Sequence, residues 1–266
     1  MESRKRREAA FHDQLRDGRM EQRWSLEAEE RTKESSEWQN LRWYSIERRS
    51  LNYMRAQIGQ RCVGKEVLDY CCGNGDEALF IGESGAARVV GIDISEHSVQ
   101  NCRARAESMG LARRVDFQVM DAEGMRFPDG SFDLVTEYGA LHHLDLRKAL
   151  DEVARVMRPQ GSFVFAEVLR HNPLIQYYRR RTMHLRTEWE VEHILGRGDI
   201  ELMREHFESI EYRCFHLLTL AAVPFRRRRL FEPTLRAAEL LDSLLLRIPW
   251  IKWQAWMIVG VASGKR

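Results

Sequence analysis

Residues 67–75, Val-Leu-Asp-Tyr-Cys-Cys-Gly-Asn-Gly, limit the possible folds of this chain more than any other stretch. An apolar run carrying one acid, Asp69, ends in a turn of small residues that opens a helix at Asp76. At such a junction, glycines let backbone N–H groups approach a ligand, and the helix N-terminus adds partial positive charge. The pattern then repeats. Residues 67–72, 88–94, 115–120, 132–138 and 162–168 read as strands. Residues 76–84, a segment capped by Ser95 and ending near Gly110, and residues 145–157, halted by Pro159 and Gly161, read as helices. Alternation of this kind predicts an α/β fold, a Rossmann-like doubly wound parallel sheet with right-handed crossovers. Its ligand belongs at the carboxyl ends of the strands.

Beyond residue 170 the pattern loosens. Residues 172–182 and 199–206 read as helices, and 208–217 and 254–263 as two more strands. Residues 218–250, with Arg226–Arg229 and a Leu-rich helix at 235–246, are too long for a turn and form a helical insertion before the last strand. Ahead of the first strand, residues 1–36 are highly charged without an apolar stripe. Leu41, Tyr44, Leu51, Met54 and Ile58 then share one helical face. The expected division is an N-terminal helical extension or lid at 1–60 and a ligand-binding domain at 61–266.

Three acids define the ligand. Gly73-Asn74-Gly75-Asp76-Glu77-Ala78 fits the G-x-G-x-x-G/A dinucleotide pattern, which leaves a nicotinamide cofactor open. Asp69, however, adds negative charge where a pyrophosphate would sit, and suits a ligand bearing a cationic amine. Asp93 closes the second strand, where a carboxylate accepts both ribose hydroxyls. Asp121 follows the third, where it accepts from an adenine amino group. S-adenosyl-L-methionine (SAM) carries an ammonium, a ribose and an adenine together. The bland alternative is that these acids cap turns and helices.

Residues 63–168 resemble the class I SAM-dependent methyltransferases, particularly the small-molecule type 11 group. The resemblance rests on segments 67–75, 90–95, 121–135, 141–144 and 155–161. It implies a seven-stranded sheet whose last strand enters antiparallel. It further implies that Asp69, Tyr70, Cys71, Gly73, Asn74 and Gly75 surround the methionine part, with Asp93 on the ribose and Ile94 on the adenine face. Asp121 and Ala122 would read the adenine amino edge, and Glu137 would line the sulfonium end. Cys71 departs from the pattern, standing where the family most often has Gly, and predicts modest crowding.

Methyl transfer from a sulfonium needs alignment more than acid catalysis, and a base only for a protic nucleophile. His142 and His143, after the fourth strand, are the candidates, His143 slightly favoured; capping of the next helix is their structural alternative. Trp38, Trp43, Tyr44 and Tyr53 suggest a cover, and Tyr177, Tyr178, His184 and Trp189 the walls of an acceptor pocket. Arg179–Arg181 and Arg226–Arg229 read as solvated faces, as grips for a phosphate or carboxylate, or as a lipid-surface contact beside residues 217–225.

The expected activity is methylation of an O, C or N atom of a small apolar metabolite, such as a secondary metabolite. The alternatives are a lipid-linked or quinone-type acceptor, and a non-catalytic SAM-binding regulatory protein. A net charge of +2 and the lack of stacking-aromatic motifs argue against nucleic acid. Five cysteines without zinc spacing, and an N-terminus without an apolar leader, predict no metal and a reduced, cytoplasmic setting. A homo-oligomer through the N-terminal helices is also open.

Overall fold

The computed structural model describes residues 2–16, 25–31 and 36–266; the side chains of Trp38 and His184 lie outside the described set. The chain begins with α1 (Ser3–Arg16) and α2 (Leu26–Arg31), then a 3-10 segment (Ser36–Ile46) and α3 (Arg48–Cys62). There follow β1 (Glu66–Tyr70), α4 (Asp76–Glu83), β2 (Arg88–Asp93), α5 (Glu96–Ser108), β3 (Val115–Val119), β4 (Phe132–Tyr138), α6 (Leu146–Val156) and β5 (Met157–Val168). The rest comprises α7 (Pro173–Arg181), α8 (Glu188–Glu192), α9 (Arg197–His206), β6 (Phe207–Phe215), α10 (Phe231–Leu245) and β7 (Met257–Lys265).

The sheet has seven strands in the order β3-β2-β1-β4-β5-β7-β6. β7 runs antiparallel between β5 and β6, and the other pairings are parallel. The winding reverses between β1 and β4, so the crevice for a ligand opens at their carboxyl ends. Alternate strand residues feed opposite faces. Val67, Val89, Phe117 and Leu134 pack with Met54 and Ile58 of α3, Leu79 of α4 and Val99 of α5. Leu68, Val90, Val135 and Phe163 pack with Leu150 and Val153 of α6 and Ile200 and Met203 of α9.

Three local expectations change. The helix before β5 ends at Val156, and Pro159 and Gly161 lie inside β5 instead of terminating the helix. They sit where the β4 pairing jumps from Met157 to Ser162, an irregularity that tolerates a residue without an N–H. The last strand starts at Met257, because Lys252–Gln254 is a 3-10 turn. The apolar face at 37–58 is divided at Glu47 between a 3-10 segment and α3, although Leu41, Met54 and Ile58 are all buried.

The insertion is anchored by one buried carboxylate. Asp242 accepts from the backbone N–H groups of Leu217 (3.0 Å), Leu218 (2.7 Å) and Thr219 (3.3 Å), tying the chain after β6 to α10. Ala222, Val223, Phe231 and Leu235 then close onto Ile46, Trp256 and Met257. His216, at φ 68°, lies 2.8 Å from the Ser50 hydroxyl, and burial pushes its imidazole down to about 3, so it stays neutral.

Gly260 of β7 faces Phe165, and a Cβ there would lie 2.3 Å from the ring Cζ. Gly260→Val should therefore cost about 1–3 kcal/mol through overpacking of a closed core. Urea unfolding measures this, and an unchanged midpoint would contradict the strand register.

Candidate functional site

A cavity of about 780 Å³ opens above the carboxyl ends of the strands. Its walls include Asp69, Cys71 and Gly73 after β1, Asp93 and Ile94 at β2, Asp121 and Ala122 after β3, and His142 and His143 after β4. Tyr70, Asn74, Gly75 and Glu137 are not among the lining residues. The side chain of Tyr70 follows the strand alternation to the opposite face, where its hydroxyl donates to the Ala122 carbonyl (2.9 Å). The Asn74 carbonyl accepts from Arg105.

The turn after β1 has three successive demands on backbone shape. Cys71, Gly73 and Gly75 have φ of 55°, 53° and 79°. A left-handed conformation costs a non-glycine residue about 1–2 kcal/mol, which corrects the expected difficulty at Cys71 from crowding to backbone strain. At Gly75, the N-cap of α4, a Cβ would come 2.9 Å from Cys102 Sγ and 3.0 Å from Phe117 Cζ. The turn is thus pressed against α5 and β3 on its inner side.

Each strand-end acid is built into that frame. Asp69, only 3% exposed, accepts from the Ala78 N–H (3.0 Å) and the Thr136 hydroxyl (2.9 Å). Burial, reinforced by the charge of Glu77, pushes its carboxyl up to about 8. Asp93 accepts from the N–H groups of Gly73 (2.8 Å) and Ser95 (2.9 Å), joining the turn to the start of α5. Asp121 accepts from the Glu123 N–H (2.9 Å) and from Lys5 Nζ (2.7 Å).

That last contact belongs to the N-terminal extension read from sequence as a lid, whose individual contacts the sequence did not name: Arg4, Lys5, Glu8, Phe11 and His12 of α1 line the cavity. Besides Asp121, Lys5 pairs with Glu123 (3.0 Å), while Arg4 pairs with Glu123 and donates to the His143 carbonyl (2.9 Å). Asp13 accepts from the Ser95 hydroxyl (2.6 Å), and Glu8 lies 3.1 Å from His143 Nδ1. Ligand atoms of Glu8, His12 and His143 all fall within 4.8 Å of one another. Most of these partners are more than a hundred residues apart, so no local spacing could announce them. The mixed charge of residues 1–16 was the only trace.

The two histidines differ. For His143, burial opposes the charged ring, but the hydrogen bond to Glu8 and the charges of Glu190, Glu8 and Glu167 prevail and raise its pKa. For Glu8, burial likewise opposes ionisation, and His143 and Arg4 overcome it, lowering its pKa. His142 instead holds Glu167, Nδ1 to Oε2 at 2.7 Å. Glu167 also accepts from the Leu141 N–H (2.6 Å) and sits beside Glu137. Burial and the Glu167 charge push the Glu137 carboxyl well above the usual carboxylate range; despite burial, His142 holds that of Glu167 below it.

Part of the cavity wall is apolar, with Ile175, Leu217, Leu220, Trp256 and Met257 together with Trp43 and Tyr44. Of the other predicted aromatics, Tyr178 joins this wall. Tyr53 packs on Phe215, Tyr177 is 61% exposed, and Trp189 lies under the Arg4 guanidinium, 4.5 Å away.

Comparison with known proteins places residues 67–161 in a family model described as a methyltransferase domain. The 27-O-demethylrifamycin SV methyltransferase of Amycolatopsis mediterranei is 36% identical over 107 residues, 40% of this chain and 39% of that protein. The demethylmenaquinone methyltransferase of Thermus thermophilus is 41% identical over 105 residues, 39% of this chain and 47% of that protein. The chain thus spans less than half the length of these curated relatives. Among solved structures, the geranyl diphosphate C-methyltransferase of Streptomyces coelicolor superposes with a TM-score of 0.56. At 18% identity, over 83% of this chain and 76% of that one, it is a likeness of fold.

The Glu8–His143 pair makes α1 docking depend on pH. The raised pKa of His143 contributes stability fully below the free value of about 6.5, lost as pH climbs through the raised value; the lowered pKa of Glu8 contributes above about 4.5, lost as pH falls through its lowered value. Docking should be firmest between those limits. Hydrogen exchange of the α1 amides, corrected for intrinsic rate, should show less protection at alkaline than at mildly acidic pH. Glu8→Gln should abolish the difference, and protection that is flat with pH would refute the linkage.

Proposed function

We propose, for a chain that belongs to the class I S-adenosyl-L-methionine-dependent methyltransferase family, that it moves the cofactor's methyl group to an O, C or N atom of a small, largely apolar metabolite. One observation carries this reading: Asp69, Asp93 and Asp121, at the carboxyl ends of three neighbouring strands, share a cavity beside the Gly73 turn. The match of residues 67–161 to a methyltransferase domain supports the same cofactor.

The donor and acceptor set fits SAM. Asp69 would take the ammonium, since burial raises its carboxyl to about 8 and a cationic partner would favour the ionised form. Asp93 would accept the ribose hydroxyls, Ile94 would pack on the purine, and Asp121 would accept the amino edge beside Ala122. Lys5, already on Asp121, would share that carboxylate. When bound, the cofactor supplies an electrophilic methyl on a sulfonium.

The protein's own work is to align the acceptor and exclude water, for which the apolar wall and α1 are suited. For a protic acceptor, His142 in its neutral form would serve as the base. Glu167 holds its Nδ1–H, which leaves Nε2 to take a proton. His143, favoured from sequence, is biased toward its charged form by Glu8 and is less available as a base. Glu137 would act by position: it accepts from the Ala140 N–H under the histidine segment.

A lipid-linked or quinone-type acceptor is the second reading, favoured by the surface of the insertion. Leu240, Leu241 and Leu244 on α10 and Trp250 beyond it are exposed, Trp250 by 71%, with Arg236 and Arg247 nearby. Such a face suits insertion at a lipid boundary. Among the described residues no helix is long and apolar enough to cross a membrane. The chain should co-sediment with anionic liposomes at low salt, less so as Leu241→Asp/Trp250→Ala. Failure of the unmodified chain to sediment would remove this reading.

Titration with S-adenosylhomocysteine, which keeps the ammonium, ribose and adenine, tests the main reading. Binding at pH 7 should release a proton, because Asp69 must ionise to pair with the ammonium, and affinity should rise by up to about tenfold per pH unit below pH 8. Asp69→Asn should remove that dependence. No uptake by folded protein would overturn the proposal. Labelled SAM with a panel of phenols, quinols and amines should yield methylated product, and binding without transfer would favour a regulatory protein. On protic acceptors His142→Ala should slow transfer by about 10²–10⁴-fold with cofactor affinity retained.

A further inference from the structure

The cavity wall carries charges of both signs. Asp69, Asp93 and Asp121 line the part assigned to the cofactor, and Arg179 and Arg186 belong to the same lining. In sequence the Arg179–Arg181 run left a solvated face, a grip for a phosphate or carboxylate and a lipid contact open; Arg179 is only 4% exposed. Its guanidinium donates to the Leu169 carbonyl (2.9 Å) and, among the described residues, forms no direct ion pair, although the charges of Glu190 and Glu167 attract it from further off. Burial, then the neighbouring charge of Arg186, pulls its pKa down to about 10, so it remains cationic at neutral pH.

The surroundings add positive charge. Arg186 uses Glu190 (3.4 Å), Thr182 and Asn40, which accounts for that carboxylate. Arg42 donates to the Tyr178 hydroxyl (3.2 Å), its Nε is buried without a partner, and it meets no carboxylate among the described residues. Both guanidinium carbons lie 5.7 Å from the Tyr178 ring centroid. A buried cation with no carboxylate in direct contact is costly, and a guanidinium in a cavity wall matches a carboxylate or phosphate.

We infer that Arg179 is the receptor for an anionic group, carboxylate or phosphate, on the methyl acceptor. The acceptor class is then an apolar or aromatic body, lying along Ile175, Leu220 and Trp256, with one anionic end at α7. This inference rests on the methyltransferase reading only for the identity of the ligand as acceptor. The basic wall itself stands independently of it.

The test uses 1-naphthoate, 1-naphthyl phosphate and the neutral methyl 1-naphthoate as probes, titrated calorimetrically into the full chain with S-adenosylhomocysteine measured alongside. At least one anion should bind about tenfold or more tighter than the ester, and which anion does so separates carboxylate from phosphate. Arg179→Met should abolish that preference, Arg179→Lys should restore part of it, and neither should change S-adenosylhomocysteine affinity. Equal binding of ester and anions, or no binding of either anion, overturns the proposal, and both are read on the unmodified protein even where a variant fails to fold. A preference that survives Arg179→Met, or a loss of cofactor-product affinity in that variant, also overturns it. If S-adenosylhomocysteine fails to bind while the Arg179-dependent preference holds, the cofactor assignment falls and the anion site remains.

Discussion

The structure turns on a carboxyl group withdrawn from water at the middle of the sheet. Asp69 joins β1, the first turn of α4 through Ala78, and β4 through Thr136. It therefore holds the junction where the winding reverses and the crevice opens. A group so placed has little solvation, and its two neutral donors do not compensate a full charge. The same burial that organises the turn leaves the site suited to a cationic ligand.

From that centre the cavity acquires direction. Acids at successive strand ends make one region of the wall rich in hydrogen-bond acceptors, the region to which the proposed cofactor is assigned. The insertion contributes an apolar stretch of wall, and the guanidinium of Arg179 adds a buried positive charge to the lining. Asp242 matters here although it lies outside the cavity: by binding three consecutive N–H groups it holds the segment that carries Leu217, Leu218 and Leu220 against the site. α1 supplies the remaining side through charge pairs, and those respond to pH.

The histidines show how burial separates neighbouring residues. His142 and His143 are adjacent in sequence with ring centroids 4.4 Å apart, yet each faces a different carboxylate. Glu167 lies in the sheet and orients His142; Glu8 arrives from α1 and charges His143. Glu137, in the adjacent strand, has its carboxyl pushed up by burial and by Glu167, whereas His142 holds that of Glu167 down. Only the packing reveals this division of roles.

What the sequence determined by itself was the frame: the strand–turn–helix at 67–75, the order of alternating elements and the three strand-end acids. These signals are local, because hydrophobic period, glycine turns and capping residues act within a few positions. Pro159 misled as a helix stop for the same reason, since the bulge that accepts it depends on the partner strand. Tertiary structure alone decided that Arg179 is a cavity wall, that α1 meets Asp121 and His143, and that Glu137 turns toward Glu167. Those outcomes depend on desolvation and on contacts between distant segments, and a charged residue carries no local mark of whether folding will leave it in water.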